Sequence, residues 1–298
     1  MSPELQVAFI GLGRMGRGMA QRILGGGHQL VVHDVVRAAG EGLVNAGARF
    51  ADTAADACSG RDVVVTMLVE DAQVLDITQR PGGLCESLPK GAIHLAMGTY
   101  GVAAIRALGE AHASAGQVLV AAPVLGRPDL AASGQLGIVS GGPAAAVARV
   151  APLLALMGRK TFHAGDMPES ATAIKLANNM VLGCAMVAMA EGFSLIRKYG
   201  VAPQLFYDVM TEGLFASTAY KGYGKTMVDQ TYDNVGSPIT VGLKDALLIA
   251  AAADLGRVPM PMHNIYRDRL LGAVAHGDGD RDQAVLAREQ ARACGLDS

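Results

Sequence analysis

Short runs of β-branched and apolar residues alternate with Ala- and Gly-rich stretches of helical period through the first half of the chain, and then the alternation stops. Strands are predicted at Gln6–Ile10, Gln29–His33, Val63–Leu68, Ala92–Ala96, Val118–Ala121 and Leu136–Ser140. Helices are predicted between or after them at Met15–Leu24, Val102–Ala115 and Ala144–Leu156. Strand, helix, strand in this order implies a parallel sheet covered by helices on both faces. Past Phe162–Gly165 the period-2 runs are gone. Ala171–Tyr199 reads as one long helix with apolar residues on most faces, followed by helices near Pro203–Thr211, Leu243–Leu255, Met262–Ala275 and Arg281–Cys294. The expected architecture is α/β, a doubly wound sheet over residues 1–164 and an all-α domain over residues 165–298 that begins with the long helix. A helix apolar nearly all round has too few neighbours in a small domain, so a homodimer that covers it is expected.

Composition narrows the function classes. The 298 residues suffice for two ordinary domains, and 51% hydrophobic with 17% charged residues describes a chain that buries a core. A formal net charge of -2 and the lack of any Lys/Arg cluster leave no basic field for nucleic acid. Cys58, Cys85, Cys184 and Cys294 are scattered with no C-x-x-C pair, which fits a reducing cytoplasm, and no secretion signal precedes Val7. Met180–Ala190, the longest nearly apolar stretch, falls short of the roughly 18 residues of a membrane span and reads as a buried helix. His28, His33, His94, His112, His163, His263 and His276 show no metal-ligand spacing, so no metal is expected and proton transfer falls to side chains.

Directly after the first strand comes Gly11-Leu12-Gly13-Arg14-Met15-Gly16, opening a helix. Glycines at this spacing let the backbone approach a pyrophosphate, and the helix N-terminus offers N–H groups and a partial positive charge. The motif alone is weak in a chain with 38 glycines; strand before and helix after give it weight and predict a Rossmann-type dinucleotide site. Asp34, at the end of the second strand about twenty residues on, can accept bonds from ribose hydroxyls and would repel a 2′-phosphate, favouring NAD over NADP. Arg37 can instead turn toward a phosphate, and Asp34 can equally cap a helix over residues 37–42.

Four motifs in order give the chain a resemblance to the β-hydroxyacid dehydrogenases over nearly its whole length. They are Phe9-Ile10-Gly11-Leu12-Gly13-x-Met15-Gly16, Ala122-Pro123-Val124-x-Gly126, Lys175-x-x-Asn178-Asn179 and Lys244-Asp245. The resemblance implies that Lys175 exchanges the proton of the reacting oxygen and that Asn178 or Asn179 orients the substrate. It implies further that Lys244 and Thr99 meet the nicotinamide side, that Met67 and Leu68 line the cleft by apolar contact, and that Gly98 and the Val124–Arg127 loop face the substrate. Taken alone, Lys175 reads as a helix-end lysine with its charge in water, Lys244-Asp245 as a solvated pair, and Met67 and Leu68 as core.

The match has departures. The family's serine before Thr99 is Gly98 here, and its Asp-Ala-Pro-Val-Ser-Gly-Gly loop reads Ala121-Ala122-Pro123-Val124-Leu125-Gly126-Arg127, so Arg127 can supply a replacement carboxylate fork or point to solvent. Glycines before the lysine are replaced by Asp166, Glu169 and Ala171. Gly165–Pro168 and Tyr220-x-x-Tyr223-Gly224 resemble one branch of the family, in which the tyrosines reach substrate across a dimer or pack at its interface. A bulkier or less acidic substrate than 3-hydroxyisobutyrate is expected. Two competitors remain: an imine reductase on the same scaffold, against which the retained Lys175 argues, and a non-catalytic dinucleotide-binding module.

Overall fold

A computed structural model describes residues 5–296; the outer ends of the two expected domains lie outside them. Among the described residues, nine strands form two sheets. In chain order they are β1 (Gln6–Ile10), β2 (Gln29–His33), β3 (Arg49–Phe50), β4 (Val63–Thr66), β5 (Ile93–Ala96), β6 (Val118–Ala121), β7 (Val124–Leu125), β8 (Leu136–Ser140) and β9 (Gly158–His163). The first six make one all-parallel sheet in the order β3-β2-β1-β4-β5-β6. β4 (Val-Val-Val-Thr) and β5 (Ile-His-Leu-Ala) are buried at every position, as strands covered on both faces must be. The strand order reverses between β1 and β4, the switch point at which the carboxyl ends of open α/β sheets leave a crevice.

Leu136–Ser140 departs from the expected place. It belongs to a separate sheet, β7-β8-β9, antiparallel to β7 and parallel to β9. Strand period alone does not say which sheet a strand joins. β3 and β7 have two residues each, too short to show a period, and Arg-Lys-Thr within β9 masks its strand character.

By packing, the chain divides into one unit ending at Lys175 and a second beginning at Leu176. The long helix, Pro168–Lys198, thus starts in the first unit. Its residue Ala171 is buried with Tyr100, Leu119 and Val139, and a Cβ on Gly141 would stand 3.1 Å from the Ala171 Cβ. Pro168 and Glu169 open the helix; Arg197 and Lys198 sit in its last turn, matching its dipole. Gly200, with φ +71°, ends it while the Val201 amide donates to the Ile196 carbonyl at 3.0 Å.

This helix spans 31 residues and is long and apolar enough to cross a bilayer, contrary to the expectation drawn from Met180–Ala190 alone. One face of it is a core face: Met186, Val187, Met189 and Phe193 pack into the core of the second unit with Ile239, Tyr266 and Leu270. Helices Pro203–Glu212, Thr218–Asp229, Ile239–Gly256, Pro261–Ala275 and Leu286–Ala293 build that core with the long helix, joined by Tyr232 from a turn. Thr218–Asp229 was not expected, because its glycines and lysines blur the apolar period. The stretch expected as one helix from Arg281 to Cys294 is a 3-10 turn, Gln283–Val285, followed by Leu286–Ala293.

Candidate functional site

The glycine turn is built by close approach. Gly11 has φ +96°, and a Cβ there would lie 2.5 Å from the Met67 carbonyl oxygen; one on Gly16 would lie 1.9 Å from the Gly11 carbonyl. Both positions exclude any side chain. At Gly13 the result is the opposite: a Cβ would meet nothing within 4 Å. The turn is therefore tight where it meets the sheet and open on the side a ligand would approach. The helix it opens, Gly16–Gly25, has no side chain capping its first amides, which leaves the partial positive charge of that end for an anion. Leu12 is buried, Met15 half-buried and Arg14 exposed.

Asp34 follows β2 and holds the turn from beside. One carboxylate oxygen accepts from the Leu12 amide at 2.6 Å and the other from the Val36 amide at 2.8 Å. The short 3-10 turn Arg37–Gly40 begins from Val36, so Asp34 does not cap it. Arg37 is paired with Asp52, and its guanidinium lies 4.7 Å from the centre of the Phe50 ring.

Met67 and Leu68 leave β4 half-buried, with the Met67 amide bonded to the Ile10 carbonyl at 2.9 Å. Thr99 is half-buried at the end of β5 beside buried Gly98. A Cβ on Gly98 would stand 2.4 Å from the Tyr100 ring and 2.6 Å from the Leu68 carbonyl, so the family's serine has no room here. In the segment after β6, Val124 is 5% exposed and belongs to the sheet core; Leu125 is half-buried, Gly126 takes φ +149°, and exposed Arg127 starts the turn of helix Pro128–Ala132. The backbone of this loop pairs with β8, Val124 against Ile138 and Leu125 against Gly137.

Lys175 and Asn179 sit one turn apart on one face of the long helix, both half-buried, with Asn178 exposed beside them. The second unit fixes Asn179. Its amide nitrogen donates to Asp245 Oδ2 at 2.7 Å, and Lys244 Nζ forms an ion pair with Asp245 Oδ1 at 2.9 Å. The Lys244 and Asp245 side chains are 15% and 14% exposed, so this is no solvated pair. Because Asp245 takes the Asn179 amide N–H, the Asn179 carbonyl oxygen is left as the acceptor. Tyr220 and Tyr223 pack partly buried against their own unit's core, Tyr220 stacked on Phe215 at 5.0 Å. Among the described residues no group of three or more His, Cys, Asp or Glu could hold a metal.

The motifs located Asn179, Lys244 and Asp245 but not the bond that joins Asn179 to Asp245, which links residues 66 positions apart. Tyr100 stands in no motif, and Thr66 and His94 enter the sequence reading only as strand residues, His94 also among the histidines without metal-ligand spacing. The signal available for Tyr100 was a glycine two residues before an aromatic residue at the end of a strand.

Residues 6–165 match the family model described as the NAD binding domain of 6-phosphogluconate dehydrogenase. Residues 170–289 match that described as the NAD-binding domain of NADP-dependent 3-hydroxyisobutyrate dehydrogenase. An uncharacterized oxidoreductase of Bacillus subtilis, YfjR, is 36% identical over 95% of this chain and 99% of its own. The 3-hydroxyisobutyrate dehydrogenase of Pseudomonas aeruginosa is 33% identical over 93% of this chain and 94% of its own. Among solved structures, Mycobacterium tuberculosis 3-hydroxyisobutyrate dehydrogenase with L-serine superposes with a TM-score of 0.88 at 25% identity, over 96% of this chain and 99% of that one. An imine reductase from Pseudomonas sp. shares the fold at a TM-score of 0.61 and 19% identity, over 96% and 99% of the two chains. Matched by both models and by these relatives along nearly its whole length, the chain belongs to the β-hydroxyacid dehydrogenase family and is a dehydrogenase that works with NAD or NADP.

Proposed function

We propose that the protein transfers hydride between NAD(H) and a 3-hydroxy acid or a related alcohol and its carbonyl form, with Lys175 as the proton-transfer residue. The observation that carries this reading is the Lys244–Asp245–Asn179 chain, which fixes Asn179 one helical turn from Lys175. Support for the substrate class comes from the relatives: 3-hydroxyisobutyrate and L-serine, named with two of them, are both 3-hydroxy carboxylates.

When bound, the nicotinamide supplies or accepts the hydride. The chain's own residues do the rest. Leu12, Gly13, Arg14, Met15 and Gly16 hold the pyrophosphate at the helix end, and Asp34 accepts from the ribose hydroxyls. Met67, Leu68 and Thr99 bound the nicotinamide half, and the family resemblance gives Lys244 the same side. Lys175 Nζ gives a proton to the carbonyl oxygen during reduction and takes it back from the alcohol during oxidation. Asn179 orients the substrate by accepting a hydrogen bond from its hydroxyl, and exposed Asn178 meets the rest of the molecule. With Gly98 and Leu125 in place of hydroxyl side chains, the backbone of Val124–Arg127 and the Arg127 guanidinium bind the substrate's polar end. A bulkier or less acidic compound than 3-hydroxyisobutyrate fits such a pocket.

NAD is favoured over NADP. The Asp34 carboxylate repels a 2′-phosphate, and Arg37 is already paired with Asp52 and laid on Phe50. A homodimer is part of the same proposal. Ala177, Val181, Cys184, Ala188 and Leu195 recur on one stripe of the long helix, and Val181 and Leu195 remain 65% and 61% exposed. A second copy of this helix would bury them.

The test is an NADH fluorescence titration coupled to turnover of a panel of 3-hydroxy acids, aldehydes and cyclic imines by wild type and Lys175→Ala. The expected result is equal NADH binding by both proteins, with kcat on a hydroxy acid or aldehyde lower by roughly 10²–10⁴ in the variant. Turnover of imines alone would make the protein an imine reductase. Binding without turnover of any substrate would make it a dinucleotide-binding module.

A further inference from the structure

A row of buried polar side chains runs through and beside β4, β5 and the helix Val102–Ser114: Tyr100, Thr66, His94, His112 and Gln117. Gln117 fixes its direction. Its amide nitrogen donates to the Leu88 carbonyl at 2.8 Å and the Cys85 carbonyl at 3.1 Å, so its oxygen, 2.7 Å from His112 Nδ1, must accept. His112 therefore carries its proton on Nδ1 and accepts on Nε2, from His94 Nδ1 at 2.7 Å. His94 in turn accepts on Nε2 from the Thr66 hydroxyl at 2.8 Å. The Thr66 oxygen is left to accept from the Tyr100 phenol, which bonds it, and the phenol oxygen accepts from the Leu68 amide at 3.2 Å. Every donation runs one way, from Leu68 to Gln117.

Both imidazoles are neutral in this chain: a second proton on His112 would set donor against donor at His94 Nδ1, and one on His94 would force the Thr66 hydroxyl to turn away and break the one-way order. Burial pushes both below the ordinary histidine range, and a proton on His112 would push His94 down further. Such a chain is an expensive way to fill a sheet that apolar side chains would stabilise at least as well. Its end explains its presence. Leu68 packs on the glycine turn, its Cδ2 only 2.9 Å from where a Gly11 Cβ would be, beside the Met67 carbonyl at 2.5 Å. A shift of the Met67–Leu68 segment by a few tenths of an ångström would move the surface against which the turn is set.

We propose that Tyr100 is a positioning residue of the cofactor site: the buried one-way chain from Leu68 through Tyr100, Thr66, His94 and His112 to Gln117 fixes the Met67–Leu68 segment against the glycine turn. Gly98 is part of the device, because only a residue without a side chain admits the phenol, whose oxygen lies 2.5 Å from the Gly98 Cβ position. The family's serine is absent here because Tyr100 occupies its space. This inference rests on the glycine turn being the dinucleotide site.

The experiment is NADH titration and steady-state kinetics on wild type, Tyr100→Phe, Thr66→Val and Thr66→Ser, with circular dichroism to confirm folding. Thr66 is fully buried, and Val matches its shape while Ser keeps its hydroxyl. Tyr100→Phe and Thr66→Val are expected to raise Kd and KM for NADH about tenfold with kcat within about twofold, and Thr66→Ser to stay near wild type. If Tyr100→Phe or Thr66→Val folds and binds NADH as wild type does, the inference is overturned, whatever its melting temperature. A wild-type protein that binds neither NADH nor NADPH would instead overturn the dinucleotide reading on which it rests.

Discussion

Asp34 illustrates how one side chain serves the turn and the ligand together. Its two oxygens already hold the Leu12 and Val36 amides, which aims the carboxylate while leaving lone pairs for ribose hydroxyls. Replacing it by serine keeps a short acceptor near the turn and removes the charge. A hydrogen bond to a charged group is worth about 1.5–3 kcal/mol. The NAD-over-NADP ratio of kcat/KM is therefore expected to fall by roughly ten- to a hundredfold in Asp34→Ser, read from initial rates with each cofactor. An unchanged ratio would confine Asp34 to shaping the turn. At this scale the sequence named the glycines, Asp34 and Lys175 because each stands in a local pattern. Tyr100 and His94 escaped it, since their role lies in partners from other strands.

At the scale of the element, β5 and the helix Val102–Ser114 each contribute one histidine to the buried pair, with ring centroids 4.8 Å apart. Both have folded pKa values depressed by burial, whereas the unfolded chain titrates them at the ordinary 6.5. Below pH 6.5 the unfolded state therefore binds more protons than the folded one, and stability falls as pH falls until the depressed folded values are reached. Above 6.5 both states are neutral and the pair adds no pH dependence. The urea midpoint is expected to drop between pH 7 and pH 5, with a limiting slope of about 1.4 kcal/mol per pH unit for each histidine. His263, also depressed by burial, adds to the same sign. A His94→Gln/His112→Gln double variant should be less stable at pH 7 but show a flatter slope; an equally steep one would place the proton uptake elsewhere. The expected elements mostly match in type, from β1 and β2 to the long helix, because their apolar residues recur at one clear period. The two-residue strands β3 and β7 and the glycine-rich helix Thr218–Asp229 carry no such period.

For the whole molecule, the decisive quantity is the apolar surface that one chain leaves uncovered. Besides Val181 and Leu195, the second unit exposes Leu205, Val209, Leu214, Leu247, Leu255 and Met262, each more than half exposed. A mass near twice the 30.7 kDa of the chain is expected by light scattering coupled to gel filtration. Val181→Glu, which would place a charge in the middle of the helix stripe, should shift the protein toward a single chain and lower its melting temperature. A wild-type mass of one chain would reject the dimer. Sequence by itself determined that a parallel α/β sheet precedes an all-helical region, that a glycine turn follows the first strand, and which family motifs the chain carries, since all of these are written in residues close together. Only the tertiary structure decided that Leu136–Ser140 leaves the main sheet, that Asp245 holds Asn179, and that a phenol under Gly98 ties Leu68 to a chain of neutral histidines. Those outcomes depend on distances between residues far apart in sequence, and on burial, which turns an ordinary polar side chain into one that must find its partner.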